Sequence, residues 1–167
     1  MGRLQQAGWI GAWLVGAAVV EPVLVRRLPL GRLDLVLLVV AAWALLRGPE
    51  AGVGAGLVGG LLQDLLSGHA LGLAAGPKIL VGFLCGLWKD VVHSGGVGVP
   101  VLAALGATGV DTLASWGVRA LVGWPTVGGR PGELFLLACS HAAMAPLVCW
   151  MVRWGSGGRR FGRAADR

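Results

Sequence analysis

The sequence has little charge and no tyrosine. Only 13% of its 167 residues are Asp, Glu, Lys or Arg, whereas a soluble domain usually carries about a quarter. Hydrophobic residues make up 56% of the chain, and the mean hydropathy is +0.76. No hydrophilic stretch is long enough to fold as a soluble domain. The composition therefore argues against an ordinary soluble protein and favours a membrane protein.

Cysteine is also scarce, and motifs of known catalytic sites are missing. The three cysteines Cys85, Cys139 and Cys149 form no CxxC pair, which predicts neither a disulfide framework nor a zinc site. The sequence contains no HExxH, no GxSxG and no close carboxylate pair. Its three histidines fall at different predicted depths, so they offer no metal site. We expect no catalytic residues, no metal and no cofactor.

One short stretch matches the sequence pattern of a nucleotide-binding motif. Residues 54–59 match GxGxxG, but the dinucleotide fingerprint needs a preceding strand and an acidic residue about twenty positions later. Here the motif lies inside an apolar stretch of membrane length that is predicted to be helical. We therefore reject dinucleotide binding.

Six apolar segments account for most of the chain. They cover residues 7–25, 35–46, 51–66, 70–88, 95–118 and 134–152. They predict an all-α integral membrane domain of six transmembrane helices over residues 1–154. A basic cytoplasmic tail without fixed structure follows over residues 155–167. The second segment is the weakest, since its uncharged run makes about 18 Å of helix against a hydrocarbon core of about 30 Å. It spans only if Arg32 and Asp34 lie near an interface, or if the bilayer thins locally.

The basic residues between the segments predict the orientation. Eight lie on the side of the termini, including Arg153 and the four arginines of the tail, and five lie on the other side. The positive-inside rule therefore places both termini in the cytoplasm, with the protein in the cytoplasmic (inner) membrane. The net charge of +6 is explained by these flanking residues beside anionic lipid, so we expect contact with the bilayer and not with nucleic acid.

Glycine is abundant, and in the third segment it is regularly spaced. Every fourth position carries a glycine or an aspartate, in the order Gly52, Gly56, Gly60, Asp64 and Gly68. This spacing places them on one helix face, where glycine lets another backbone approach closely. The fourth segment repeats the pattern more weakly with Lys78, Gly82 and Gly86. We predict a face that packs the third and fourth helices together, receives a partner's transmembrane helix, or does both.

Charged residues within apolar segments mark candidate functional sites, because burying a charge in lipid is costly. Besides Asp64, these residues are Asp34, Lys78, Asp111 and Arg119, with Asp34 and Arg119 nearer the segment boundaries. Asp64 and Lys78 are candidates for a buried pair across a helical hairpin. Alternatively, Asp64 supports a turn or contacts a partner helix, or the charges form a proton or solute pathway.

His141 lies near Pro146 in the sixth segment. We interpret it as a core residue that bonds a carbonyl group freed by the proline.

The stretch from Arg32 to Trp88 resembles the rod shape-determining protein MreD family. That family shows an aspartate before its second helix and then a short basic turn. A glycine-rich helix follows that ends in GLLxDLLSGxxLGL, and after it a helix with VGxLxG. The matching residues here are Asp34, Arg47-Gly48, the run from Gly60 to Gly68, Leu71-Gly72-Leu73 and the run from Val81 to Gly86. The match adds Gly72 to the candidate packing or partner-binding positions, whereas Lys78 is an unusual charge for the family.

This resemblance implies a non-catalytic membrane scaffold of the bacterial cell-elongation machinery, which builds lateral peptidoglycan and maintains rod shape. The implied partners are an MreC-like membrane protein, the MreB filament system, and the RodA and penicillin-binding synthases. The family is also similar in architecture to the substrate-binding subunits of energy-coupling-factor transporters. The alternative is therefore a membrane subunit that binds a small, vitamin-like solute. The absence of tyrosine and the position of most tryptophans near predicted boundaries weigh against such a pocket.

Overall fold

The structure is a computed structural model that describes residues 3–27, 33–68, 70–90, 98–123 and 131–155. The predicted tail falls almost entirely outside these ranges. The described helices are α1 Arg3–Arg27, α2 Leu35–Arg47, α3 Pro49–Ser67, α4 Ala75–Leu87, α5 Gly98–Val122 and α6 Pro131–Gly155. The prediction of an all-α fold is confirmed for these residues, and each of the six apolar segments contains one helix.

Short polar and glycine signals set the ends of α2. Asp34 precedes the helix in an extended conformation, and its carboxylate accepts a hydrogen bond of 2.7 Å from the backbone N–H of Leu37. This is the geometry of an N-cap, which satisfies a donor that the helix itself leaves free. At the other end, Gly48 has φ 99°, a conformation that few residues other than glycine adopt. Pro49 then occupies the first turn of α3, where its missing N–H costs nothing.

Helices α3 and α4 form an antiparallel hairpin, as predicted, but the connection is longer than expected. Helix α3 ends at Gly68, which has the left-handed conformation of a helix C-cap. Residues 71–74 form turns, with Gly72 at φ 103°, and α4 begins only at Ala75. The apolar run from residue 70 therefore includes turn residues that hydropathy does not distinguish from a helix.

Helix α2 lies at the centre of the bundle. It contacts each of the other five described helices, and eleven of its 13 residues are buried. The apolar residues of α2 show no amphipathic pattern, and a helix that is hydrophobic on all sides is typical of a fully buried position. The segment that was the weakest candidate for a membrane span is therefore the one that neighbouring helices cover.

Two of the described helices, α5 and α6, are long and apolar enough to cross a membrane. Only 22% and 33% of their apolar windows are buried inside the protein, so neither resembles the core helix of a soluble domain. Helices α2 and α4 have 13 residues each, which corresponds to about 20 Å of helix. By length and composition, two of the described helices qualify as membrane spans, and the six spans that the apolar runs indicate stay a prediction.

Large apolar side chains are exposed on the outer helices. They include Val15, Val19, Leu102, Leu113, Leu121, Phe135, Leu147, Trp150 and Trp154. Exposed apolar surface of this extent is typical of proteins that contact lipid or other proteins.

Candidate functional site

A polar cavity lies at one end of the helix bundle. Successive helices alternate in direction, so the C-terminal parts of α1, α3 and α5 meet the N-terminal parts of α2, α4 and α6. Their side chains enclose a cavity of about 720 Å³, within the range of small-molecule sites, about 300–1,000 Å³. Exposed Leu66, Ser67 and Glu133 are among its lining residues, which indicates that the cavity opens at this end.

A salt bridge between Asp34 and Lys78 forms the floor of the cavity. The Lys78 Nζ lies 2.7 Å from the Asp34 Oδ2, and the two side chains are 3% and 17% exposed. The predicted pairing of Lys78 with Asp64 is therefore wrong. Lys78 lies in the first turn of α4 and reaches the start of α2, whereas Asp64 is occupied by backbone groups. Asp34 lies at a segment boundary, as expected, since it is the N-cap of α2. This end of α2 lies inside the bundle, so the side chain is nevertheless largely buried.

His141 and Thr108 extend this pair into a hydrogen-bond network. The backbone N–H of Asp34 donates to His141 Nε2 over 3.0 Å, so Nε2 is the unprotonated nitrogen. His141 Nδ1 lies 2.7 Å from the Thr108 hydroxyl, which itself donates to the carbonyl oxygen of Ala104. A neutral His141 that carries its proton on Nδ1 satisfies all three groups.

The interpretation of His141 as the partner of a carbonyl freed by Pro146 is therefore wrong. The ring bonds the amide in front of α2 and the hydroxyl of α5, and it thereby joins α2, α5 and α6.

Glu21 and Gln63 form a second polar contact next to Asp34. The Gln63 amide nitrogen donates to Glu21 Oε1 over 2.7 Å and approaches Asp34 Oδ2 at 3.4 Å. Glu21 Oε2 lies 3.5 Å from the backbone nitrogen of Val36. Because two carboxylates surround the amide nitrogen, the amide orientation is fixed, and Gln63 Oε1 points elsewhere.

Two buried acceptors in the cavity lack a donor. Gln63 Oε1 and Asp111 Oδ1 are inaccessible to solvent and have no hydrogen-bond partner among the residues that the structure describes. Buried polar atoms are almost always satisfied, so each such exception calls for a physical explanation. Both residues line the cavity, as does Arg119, which was expected near a boundary.

Asp64 closes the connection between α3 and α4. Its carboxylate is fully buried and accepts backbone N–H groups from Gly72 at 2.8 Å and Ala74 at 2.9 Å, with Ala75 at 3.4 Å. The side chain thus satisfies donors of the turn and of the first residue of α4, which the helix itself leaves free. Of the predicted alternatives for Asp64, the structure contains the turn support.

The regularly spaced glycines divide into two groups. A methyl group added at Gly52, Gly56 or Gly60 would overlap backbone atoms of α4 or of the residue before it, those of Gly82, Lys78 and Ala75 respectively. These three positions therefore lie in the α3–α4 contact, where only glycine allows this approach.

Two glycines of α4 belong to the same contact between α3 and α4. Added methyl groups at Gly82 and Gly86 would overlap the backbone at Gly52 and at Pro49. Gly68 and Gly72 differ, since a methyl group at either would meet nothing within 4 Å. Their positive φ angles show that both glycines form turns. Of the two predicted roles, helix packing therefore does not apply to them, and partner binding stays a prediction.

The sequence analysis missed part of the cavity wall, although a signal for it is present. Thr108, Asp111, Thr112, Ser115 and Arg119 recur at three- and four-residue spacing along α5. Such spacing places them on one helix face, and all five line the cavity. Only Asp111 and Arg119 were singled out, because hydroxyl residues do not interrupt an apolar segment.

No group of three or more His, Cys, Asp or Glu side chains within the described ranges is arranged to hold a metal ion. The GxGxxG match of residues 54–59 lies in the middle of α3 and not in a loop between a strand and a helix. What the cavity offers chemically is a buried ion pair, two vacant acceptors and apolar walls. Comparison with protein-family models, curated proteins and solved structures gives no match for this chain.

Proposed function

We propose that this chain is a multi-pass scaffold of the inner membrane that serves the bacterial cell-elongation machinery, as its resemblance to the MreD family implies. In this role it carries out no reaction. It binds an MreC-like membrane protein and, through it, the MreB filament system and the RodA and penicillin-binding synthases of lateral peptidoglycan.

The proposal rests on one observation, namely that most of the motif residues contact one another in the α3–α4 hairpin. The run GLLQDLLSG of residues 60–68 ends in the left-handed turn at Gly68, and Asp64 within it binds the backbone of the following LGL segment. The Gly82 and Gly86 positions of the VGxLxG pattern pack on α3. Most residues on which the resemblance rests thus form one hairpin, while Asp34 and Arg47-Gly48 lie at the two ends of α2. A pattern that depends on a shared hairpin is harder to match by chance than separate short motifs.

The membrane topology of this proposal has six helices with both termini in the cytoplasm. The alternation of the six described helices and the charge count favour this arrangement. The shorter α2 then crosses part of the bilayer surrounded by neighbouring helices, whereas α4 exposes Leu80, Phe83 and Leu87. The polar cavity occupies the remaining depth. Irregular and polar structure at membrane depth is tolerated where it is buried in protein or lines a cavity.

A second candidate function is supported by the cavity itself. A volume of about 720 Å³ with convergent polar groups is typical of a site for a small molecule. The alternative is therefore a solute-binding membrane subunit of an energy-coupling-factor transporter, with the architecture of that class.

Affinity purification of the tagged full chain from its own bacterial membranes, followed by mass spectrometry, separates the two functions. For the scaffold we expect recovery of an MreC-like protein and loss of rod shape when the chain is depleted. Recovery of transporter ATPases, with cell shape unchanged on depletion, would support the solute-binding subunit and contradict the scaffold.

A further inference from the structure

The hairpin of α5 and α6 has a packed half and an unpacked half. Four residues of α5 are buried, and the last of them along the chain is Thr108. In α6, burial begins only at Ser140 and His141. Between these points, none of the described residues 109–122 and 132–139 is buried. The packed half of the hairpin therefore ends at Thr108 on one helix and at Ser140 and His141 on the other.

The unpacked half, residues 109–122 and 132–139, forms one wall of the polar cavity, and we call it the cavity arm. Asp111, Ser115 and Trp116 of α5 and Leu134 and Leu137 of α6 line the cavity from this side. Regions with few buried contacts open at a lower cost in free energy than the core does. The contacts at the base of the arm therefore determine how firmly it is held.

The hydrogen bonds of His141 tie the base of the cavity arm to the start of α2. Its Nε2 accepts the backbone N–H of Asp34 at 3.0 Å, and its Nδ1 lies 2.7 Å from the Thr108 hydroxyl oxygen. That hydroxyl donates its proton to the carbonyl oxygen of Ala104, so it accepts from Nδ1. Each ring nitrogen thus has one fixed role, and only the neutral ring with its proton on Nδ1 fulfils both.

Protonation of the ring breaks this arrangement at one atom. It turns Nε2 from an acceptor into a donor, so two N–H groups face each other where the hydrogen bond to Asp34 was. A buried donor without an acceptor costs free energy. Farther along α6, Ala145, Val148 and Cys149 still pack in the core cluster that contains α2 residues. The loss therefore falls on the arm and not on the whole of α6.

Charged groups of the surrounding helices also act on the ring. Among the described residues, those that line the same cavity are Glu21, Asp34, Asp64, Lys78, Asp111, Arg119 and, on α6 itself, Glu133. Arg47 and Arg153 lie at the far ends of α2 and α6. The carboxylate of Asp34 favours a charged ring, but it is paired with the Lys78 ammonium group, which opposes it. Burial of the ring, which is 1% exposed, further disfavours its charged form.

We propose that His141 is a pH-dependent latch of the cavity arm. The neutral ring holds the arm against the start of α2, and protonation of the ring releases the arm and widens the cavity. The inference goes beyond both functions considered above and depends on neither, because it concerns the isolated chain.

The first test measures stability at two pH values. A histidine of an unfolded chain takes up a proton below about pH 6.5, so folding with a neutral His141 has to release this proton. Between pH 7.5 and pH 5.5 the release lowers the folding equilibrium constant about tenfold. We expect the unmodified chain to lose about tenfold more stability than His141→Gln, which keeps an acceptor but takes up no proton. Denaturant unfolding in detergent micelles measures both.

The other two histidines of the chain provide matched controls. His69→Gln and His93→Gln remove the same ionisable group elsewhere, and each should lose as much stability as the unmodified chain. Equal losses in the unmodified chain and in His141→Gln would overturn the latch. So would a loss that disappears in His69→Gln or His93→Gln and persists in His141→Gln.

A measurement on the unmodified chain does not depend on the folding of any variant. With ¹⁵N-labelled histidine, NMR distinguishes a ring proton on Nδ1 from one on Nε2. At pH 7.5 we expect one of the three histidines to carry its proton on Nδ1 alone. If all three carry it on Nε2, the hydrogen bonds assigned to His141 are wrong and the latch is refuted.

Release of the arm is measured by spin labels on either side of the cavity. Cysteines replace Leu66 at the end of α3 and Leu136 in the arm, both of which are exposed, in a background without Cys85, Cys139 and Cys149. Pulsed electron paramagnetic resonance in nanodiscs gives the distance between the labels. We expect a population with a longer distance at pH 5.5 and not at pH 7.5, and none in His141→Gln at either pH. Identical distances at both pH values, or the same change in His141→Gln, would refute the release of the arm by His141.

Discussion

At the scale of single residues, the buried carboxylates differ in what neutralises them. Asp64 is held by backbone N–H groups of one turn, whereas Asp34 is held by an ammonium group, a helix start and a neighbouring amide. A buried charge is tolerated only with such partners. The two aspartates therefore respond differently to the same substitution.

Asp64→Asn should destabilise the isolated protein. Asparagine keeps one oxygen acceptor but turns an amide nitrogen towards backbone N–H groups that need an acceptor, so a hydrogen bond is lost and two donors face each other. We expect a loss of about 2–3 kcal/mol, the range for hydrogen bonds to charged groups, measured by denaturant unfolding in detergent micelles. Asp90→Asn, at an exposed position, is the control and should change little. Equal stability of the two variants would remove Asp64 from the turn.

Lys78→Met should cost more, because it leaves the Asp34 carboxylate buried without its counterion. Breaking one side of a buried ion pair typically costs about 3–5 kcal/mol. The double variant Asp34→Asn with Lys78→Met should recover much of this loss, since asparagine still caps α2 and neither charge of this pair remains buried. The same unfolding assay measures both.

The control for this pair of variants tests the alternative salt bridge, between Asp64 and Lys78. Asp64→Asn combined with Lys78→Met should give additive losses, because the two side chains have different partners. Rescue by Asp64→Asn, and not by Asp34→Asn, would show that the pairing runs between α3 and α4 after all.

At the scale of helices, the α3–α4 hairpin depends on backbone contact. Glycine in a helix interior costs about 1 kcal/mol relative to alanine, so a helix with several glycines needs a compensating interaction. Close approach to α4 supplies it, since membrane helices gain stability from packing and not from a hydrophobic drive between them. The faces of α3 should therefore differ sharply in their tolerance of side chains.

Gly60→Leu should lower both the yield and the thermal stability of the protein. A side chain at this position would overlap the backbone of Ala75, and the helices would have to separate. Gly54→Leu is the matched control within the same helix, because a methyl group there meets nothing within 4 Å. We expect Gly54→Leu to be neutral or slightly stabilising. Similar melting temperatures for the two variants would contradict the packing role of this face.

At the scale of the whole molecule, the order of the helices brings the polar groups to one end. The buried side chains of Asp64, Lys78 and His141 lie in the helix halves that face the cavity, whereas Arg47 and Glu50 lie at the other ends of their helices. The central helix α2 is short, so its capped start lies inside the bundle and not at its surface. The cavity therefore lies at the point where the short core helix α2 begins, and Asp34 lines it.

Both termini should be accessible from the same side of the membrane, the cytoplasm. Single cysteines replace Arg3 and Arg163 in a background without Cys85, Cys139 and Cys149, and a membrane-impermeant maleimide is added to intact cells and to inverted vesicles. We expect both cysteines to react only in inverted vesicles, because six alternating helices return the chain to its starting side. Reaction of the two positions from opposite sides would show an odd number of crossings.

The sequence by itself determined which segments become helices and most of their ends, but not the start of α4, since the turn of residues 71–74 is as apolar as a helix. Apolar runs, the capping aspartate Asp34, Pro49 and the glycines at positions 48 and 68 are local signals, and the physics behind them acts within a few residues. The spacing of glycines on α3 likewise predicted a close-packed face, because helical periodicity alone brings every fourth residue together.

Only the tertiary structure decided which charges meet. Asp34 and Lys78 are 44 residues apart in sequence, and Thr108 and His141 are 33 apart. Their contacts depend on the depth and rotation of each helix, which apolar composition leaves undetermined. The sequence also left the number of spans undetermined. Burial of α2 by its neighbours, and not its hydropathy, fixes where that helix lies. Helix packing therefore decides which polar side chains bond each other in the cavity. The sequence alone already shows that buried charges are present and need partners.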